Sequence, residues 1–348
     1  MHWIAYGSGY LSQVTYATGY GPIGLSVVDL NNDNKPDIAI TNSNSDNIGV
    51  YLNAGNGIFL TPTTYSANRF THSLQTADVN NDNKPDIIVT NAGPTAYNVG
   101  IFLNKGNGTF FPQVTYPNGA GGLLFSCADV NNDNKPDIIV PNYQASSVSV
   151  LFNTGSGVFS APTNYSVGNA PHTAAVIDVN NDGKPDIVVS NRDSNNVGVL
   201  INTGTGTFQP QITYPTGGNP RYIDVADVNR DGKPDIVVPN YNSNSIGVLI
   251  NSGSGTFLAQ VTYPTSSRPN CITIADVNGD NIPDIVAGLS SSVGIYINAG
   301  NGTFLSEINY PTGSYPHYSK VVDVNGDNRP DIIVTNKDSD TIGVLLHA

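Results

Sequence analysis

The chain has 348 residues, 39% of them hydrophobic, with 27 acidic and 14 basic side chains, a formal net charge of −13 and two cysteines. The negative balance excludes a basic nucleic-acid groove, two cysteines exclude a disulfide framework, and no apolar run approaches the roughly eighteen residues of a membrane helix. No linker or composition shift divides the sequence, so one domain is expected over residues 1–348.

In chain order, residues 1–16 come first and carry Ser8, Gly9, Tyr10, Thr15 and Tyr16, which align with Gly206, Thr207, Phe208, Thr213 and Tyr214 downstream. The first complete unit follows as four strands: a (25–29), b (38–41), c (48–52) and, after a Gly-rich turn, d (58–65). The unit recurs seven times at a period of 47–51 residues, without helical periodicity. A repeat of that length made only of strands predicts a propeller blade. The seventh unit stops after its third strand at 341–346, so residues 1–16 are expected to complete it, with Ala348 continuing near Tyr6. The expected fold is all-β: a seven-bladed β-propeller of four-stranded blades, closed by the N-terminal strand and therefore free of exposed edges. It is expected to be a monomeric ring.

Between strands a and b every unit carries D-x-N-x-D-x-x-P-D, at 29–37, 78–86, 129–137, 178–186, 227–235, 276–284 and 323–331. These loops hold 21 of the 27 acids. Position 1 is Asp29, Asp78, Asp129, Asp178, Asp227, Asp276 or Asp323; position 3 is Asn31, Asn80, Asn131, Asn180, Asn229, Asn278 or Asn325. Position 5 is Asp33, Asp82, Asp133, Asp182, Asp231, Asp280 or Asp327, and position 9 is Asp37, Asp86, Asp137, Asp186, Asp235, Asp284 or Asp331. Ca²⁺ takes six to eight oxygens, and a comparable loop uses positions 1, 3 and 5 with the carbonyl of position 7. That carbonyl belongs here to Lys35, Lys84, Lys135, Lys184, Lys233, Ile282 or Arg329. Position 6 is always Asn or Gly, as a turn with positive φ requires. A tight turn explains one carboxylate, whereas three repel one another unless a cation neutralises them. Up to seven Ca²⁺, one per blade, are expected, and they would bring the net charge to about +1.

The metal loops, the G-N-G-T-F turns and the later T-Y-P-T-G resemble the FG-GAP/VCBS repeat family, to which the integrin α-subunit propeller and a calcium-binding fungal lectin propeller belong. The resemblance covers all seven units, although the Gly-Ala-Pro part is degenerate, with SAPTNY at 160–165 as its nearest copy. It implies a calcium-loaded, extracellular binding module without naming the ligand.

Alternating strands place the b–c and d–a connections on one face and the Asp-rich loops on the other. The b–c connection varies in length, two residues longer around 93–97 and two shorter at 289–292, as binding loops do. Of the basic residues outside the metal loops, Arg69, Arg192, Arg221, Arg268, Lys320 and Lys337 map to this face or the start of strand a, and Lys105 does not. His72, His172 and His317 occupy one equivalent position, where Arg221 and Asn270 stand in other units. Tyr97, Tyr143, Tyr222, Tyr241, Tyr315 and Tyr318 are expected to be exposed there, with Asp46, Asp193, Asp338 and Asp340. Such a face suits carbohydrate, in a lectin-like module, or a protein ligand in an adhesion module. Similar pockets between blades would mark a lectin; one asymmetric patch would mark a protein site.

A polysaccharide-active enzyme is the third reading. No nucleophile elbow, phosphate loop or Cys/His metal spacing occurs, and few acids lie outside the metal loops, so no catalytic residue is assigned. The strand d tyrosines Tyr16, Tyr65, Tyr116, Tyr165, Tyr214, Tyr263 and Tyr310 recur in every unit and are expected to pack between blades, and Trp3 is expected to cover a blade edge. Cys127 and Cys271 lie too far apart on the ring to bridge and read as small hydrophobes. Weak calcium loops and sequons at Asn107, Asn164 and Asn301 point to a secreted or cell-surface protein, which would need a leader that does not open at Met1.

Overall fold

No described strand exceeds seven residues, and left-handed Asn and Gly residues recur in the turns between them, so the chain turns back repeatedly instead of running into long sheets. The computed structural model describes residues 9–93, 97–119 and 121–348. In it the described strands assemble into seven four-stranded antiparallel sheets, the blades of a propeller. Blade one runs Pro22–Val28 (a), Asp37–Asn42 (b), Asn47–Tyr51 (c) and Thr63–Ser66 (d). Blade four repeats this as Pro171–Ile177, Asp186–Asn191, Asn196–Leu200 and Ile212–Pro215.

Strand d is shorter than the expected 58–65. Ile58–Phe59 pairs instead with Asn53–Gly55 as a separate hairpin, turned by Gly55 and Gly57 at φ 99° and 70°. Pro62, which donates no backbone hydrogen bond, separates that hairpin from strand d.

Strand b is buried along its whole length, whereas strand d is exposed except for its half-buried tyrosine. The core is a set of layers between blades rather than one central mass. One layer joins Leu30, Ala39, Ile48 and Val50 of blade one to Leu74, Ile87, Val89 and Phe102 of blade two. Each strand d tyrosine meets the next blade's aromatic edge-on, as in Tyr65–Phe110 at 5.6 Å and Tyr165–Phe208 at 5.3 Å between ring centres. Several also donate across the same joint, including Tyr116 to the Gly157 carbonyl at 3.0 Å. The expected inter-blade role of these tyrosines therefore holds.

The ring closes as the unmatched seventh unit requires. Val14–Ala17 pairs with the third strand of blade seven, Thr341–Leu345, with Val14 opposite Val344 and Ala17 opposite Thr341. Tyr10 bridges His347 and packs edge-on to Tyr310 at 5.5 Å, filling the place held elsewhere by Phe. The expectations for Trp3 and Tyr6, and most of the 93–97 insertion, fall outside the described residues. Both cysteines are free.

Strand a is innermost, and neighbouring a strands approach closely. At Gly24 a Cβ would lie 2.5 Å from the backbone nitrogen of Leu74 in the next blade. Backbone cannot give way as a flexible side chain can. Gly24→Ala is therefore expected to destabilise the ring by about 1–3 kcal/mol through overpacking, measured by denaturant melts, and a neutral result would contradict this packing.

Candidate functional site

Each Asp-rich loop is ordered by its own backbone. In blade one the Asp29 carboxylate accepts from the amides of Asn31, Asn32, Asp33 and Asn34, at 2.6–3.2 Å. Asn31 Oδ1 accepts from the Asp33 amide and Asp33 Oδ1 from the Lys35 amide, both at 3.0 Å. Position 6 is left-handed, as expected, with Asn34 at φ 62°. Position 4 is left-handed too: Asn32, Asn81, Asn132, Asn181, Arg230, Gly279 and Gly326 all have positive φ. Sequence reasoning missed this second turn, although the recurrence of Asn or Gly there in six of seven copies carried its signal.

The lysine at position 7 offers more than its carbonyl. Lys35 Nζ lies 3.1 Å from Asp33 Oδ2, and the first five loops all make this bridge. In loops six and seven, with Ile282 and Arg329 at position 7, Asn278 and Asn325 donate to Asp280 and Asp327 instead, each at 3.1 Å. Among the described residues no three His, Cys, Asp or Glu side chains converge as a preformed metal cluster. The donors at positions 1, 3, 5 and 9 are nevertheless all carboxylate or amide oxygens. Asn31 and Asp33 keep unused lone pairs, so the donor chemistry fits a hard cation such as Ca²⁺.

Position 9 is the buried anchor of the loop. Asp37 is fully buried, with Oδ2 accepting from the Leu30 amide at 2.9 Å and Oδ1 from the Asn53 amide at 2.8 Å. Burial raises the equivalent Asp86, Asp137, Asp186, Asp235 and Asp284 carboxyls to about 6, a rise opposed by those amides and reinforced by the carboxylates at positions 5 and 1. The second residue after strand c ties each loop to its neighbour. Asn202 Nδ2 donates to the Val130 carbonyl in the preceding blade's loop at 2.8 Å and to the Pro185 carbonyl at 2.9 Å. Asn53, Asn104, Asn153, Asn251 and Asn298 make the same pair of bonds. His347 takes this place at the closure, where only its backbone amide reaches Asp331.

On the opposite face the expected histidines come together across the ring. His72 of blade two lies 5.8 Å from His317 of blade seven between ring centres, and His172 of blade four lies 5.9 Å from Tyr222 of blade five. Tyr222 shares a hydrogen bond with His317 Nδ1 at 3.0 Å and packs on Tyr318 at 5.6 Å. Blades this far apart in chain order meet only on the ring axis, so these side chains close the channel mouth. His172, His317 and Tyr222 are consequently buried and His72 half-buried. This corrects the expectation of an exposed Tyr222: strand a is innermost, and its first residues point at one another. Burial, then the charge of Lys337, holds His72 down at about 4. Burial and the charges of neighbouring histidines, Arg221 and other cations hold His172 and His317 well below the ordinary range.

Around this plug lie the cations and tyrosines of the b–c and d–a loops. The Arg221 guanidinium sits 3.4 Å above the Tyr241 ring centre, with Arg268 at 5.3 Å. Arg221 Nη1 donates to Asn270 Oδ1 at 2.7 Å and to the Tyr315 hydroxyl at 3.0 Å. Arg192 packs on Tyr143 at 4.9 Å and pairs with Asp193 at 2.9 Å, and Gln144 donates to the Tyr97 hydroxyl at 2.7 Å. Arg69 is exposed and stands apart from these contacts. Lys320 does not join the face: it lies within Pro316–Val322, lining the channel, where its charge counters the burial that raises Asp224.

Comparison with solved structures places this fold among known propellers. BBS1N, from its complex with ARL6DN, is similar with a TM-score of 0.71 at 13% identity, covering 97% of each chain. A lectin from Agrocybe aegerita that recognises non-reducing terminal N-acetylglucosamine is similar with a TM-score of 0.58 at 20% identity, covering 98% of this chain and 94% of the lectin. A functionally unknown protein from Desulfotomaculum acetoxidans DSM 771 follows at 0.61 and 14%, covering 87% and 92%. At these identities the likeness is one of fold. No curated protein sequence is significantly similar to the chain. FG-GAP-like repeats match six overlapping stretches, 29–89, 78–140, 129–189, 178–238, 235–287 and 285–334, and the chain belongs to that repeat family.

Proposed function

We propose that the protein is a calcium-stabilised binding module, secreted or displayed at the cell surface, that recognises carbohydrate on the face formed by the b–c and d–a loops. The observation that carries this reading is the convergence of Tyr143, Tyr241 and Tyr315 with Arg192, Arg221, Arg268 and Asn270 around one channel mouth. Flat rings beside directed amide and guanidinium donors suit a hydroxylated ring ligand. The propeller of the Agrocybe aegerita lectin, which recognises a sugar, supports it. Positions 1, 3, 5 and 9 of each Asp-rich loop would hold Ca²⁺ with the position 7 carbonyl, once the lysine bridge to position 5 opens. That cation would lock the joints that Asn202 and its equivalents make between blades.

A protein ligand is the second reading, favoured by the asymmetry of the patch and by the BBS1N propeller, solved in complex with ARL6DN. Binding is preferred to catalysis because His72 and His172, whose imidazoles could otherwise serve as general bases, are packed into the channel plug. A glycan array probed with millimolar calcium and again with chelator tests the proposal. Calcium-dependent capture of a defined sugar class is expected; silence from folded, calcium-loaded protein would transfer the assignment to a protein ligand.

A further inference from the structure

Two guanidiniums, Arg221 and Arg268, share one phenol ring over blades five and six. Arg221 is held in place by neutral groups alone: Asn270 and Tyr315 at Nη1, and Asn219 at Nε, 3.2 Å away. Among the described residues neither arginine makes an ion pair, although Arg192 on the same face has Asp193. The loops around them, at 216–223, 241–244, 265–270, 289–291 and 312–315, contain no Asp or Glu. Asp46 and Asp340, elsewhere on the face, are bonded to the amides of Phe70 and Gly21, and exposed Asp338, whose amide donates to the Ser314 carbonyl at 3.2 Å, makes no ion pair among the described residues. Half-buried Arg221 and exposed Arg268 thus lie against one ring without an ion-pair partner among the described residues, and an anion between them relieves both.

We infer that this sector binds the acidic group of a saccharide, a carboxylate or a sulfate ester, clamped by Arg221 and Arg268; this rests on the carbohydrate reading above. The planar fork of Arg268 matches the paired oxygens of either group, while Arg221, held at Nε and Nη1 by Asn219, Asn270 and Tyr315, presents its Nη2 hydrogens in a pre-set direction. The Tyr241 ring, covered by Arg221, orients the clamp rather than stacking on the sugar. Exposed Asn242, Ser243 and Ser290 border the clamp and offer partners to hydroxyls rather than a pocket for apolar side chains.

The experiment measures binding of the calcium-loaded protein to 3′-sialyllactose and a sulfated galactose, against lactose and galactose, with an acidic peptide as a further arm. The expected result is tighter binding of at least one acidic sugar than of its neutral match, by about tenfold or more, as charge-assisted hydrogen bonds give. That advantage should fall in Arg268→Ala and in Arg221→Lys, which keeps the charge and loses the bonds that aim it, but persist in Lys105→Ala. The two acidic probes separate carboxylate from sulfate. Equal binding of acidic and neutral sugars would overturn the acidic clamp while leaving carbohydrate recognition intact. Arginine-dependent binding of the acidic peptide alone would overturn the sugar class. Binding of no probe by folded protein that captures another sugar on the array would overturn the clamp alone, and silence on both would overturn both readings.

Discussion

Chelation with EDTA is expected to lower the melting temperature by on the order of 10 °C. If free Ca²⁺ stands at about ten times Kd, each site adds roughly 1.4 kcal/mol by mass action, and seven independent sites add on the order of 10 kcal/mol. Spread over the unfolding entropy of a chain of 348 residues, that sum corresponds to the stated shift. The effect should not stay local. Without the cation, position 1 and position 5 carboxylates repel each other beside a buried position 9, whose amide partner is the Asn that also donates to the preceding blade's loop. Loosening one loop therefore loosens a joint between blades, and Asp33→Ala should reproduce part of the loss by itself. A melting curve unchanged by chelator would refute the assignment of these loops to calcium.

Acid is expected to weaken the ring at its opposite face. His72 is held at about 4 against an ordinary 6.5, so the unfolded chain binds its proton more readily than the folded one. Such a group imposes no penalty above pH 6.5; stability is lost as pH falls from 6.5 towards 4. At pH 5 the loss is about 2 kcal/mol for one histidine, and His172 and His317, also depressed, add to it. Lys337, Arg192 and Arg221 set positive charge around the cluster, and the Tyr222 hydroxyl already engages His317; among the described residues no carboxylate pairs with these histidines to stabilise an imidazolium. His72→Asn places at this position the residue that blade six carries as Asn270. Denaturant melts at pH 7 and pH 5 should show a smaller acid loss in the variant than in the parent, by about 2 kcal/mol. Parallel losses would show that His72 does not report the plug.

The ring was legible because periodicity and hydrophobic pattern are local properties: seven spaced copies and a missing fourth strand specify blades and closure without knowledge of any contact. The Tyr and Phe repeats were legible for the same reason, since only a shared joint explains recurrence in every unit. What a repeat hides is direction. His72, His172 and His317 were legible as one equivalent position, but nothing local to a strand says that its first residues meet partners from distant blades, so they and Tyr222 read as part of an open face. The Asn bridges between loops were invisible for a related reason: Asn202 and the Val130 carbonyl are far apart in sequence and adjacent only once the ring closes. Arg221, Tyr241 and Arg268 were each legible as surface residues, whereas the stacking that unites them came only with the fold.

The most direct measurement is a calorimetric titration of a glycan selected on the array into calcium-loaded protein and into chelated protein held below its melting temperature. Saturable binding to the calcium-loaded ring, weakened when the metal is removed and lost on altering Arg221 and Arg268, is the predicted result. Binding that is indifferent to calcium and to those two arginines would contradict a metal-stabilised propeller that presents its sugar site at the channel mouth.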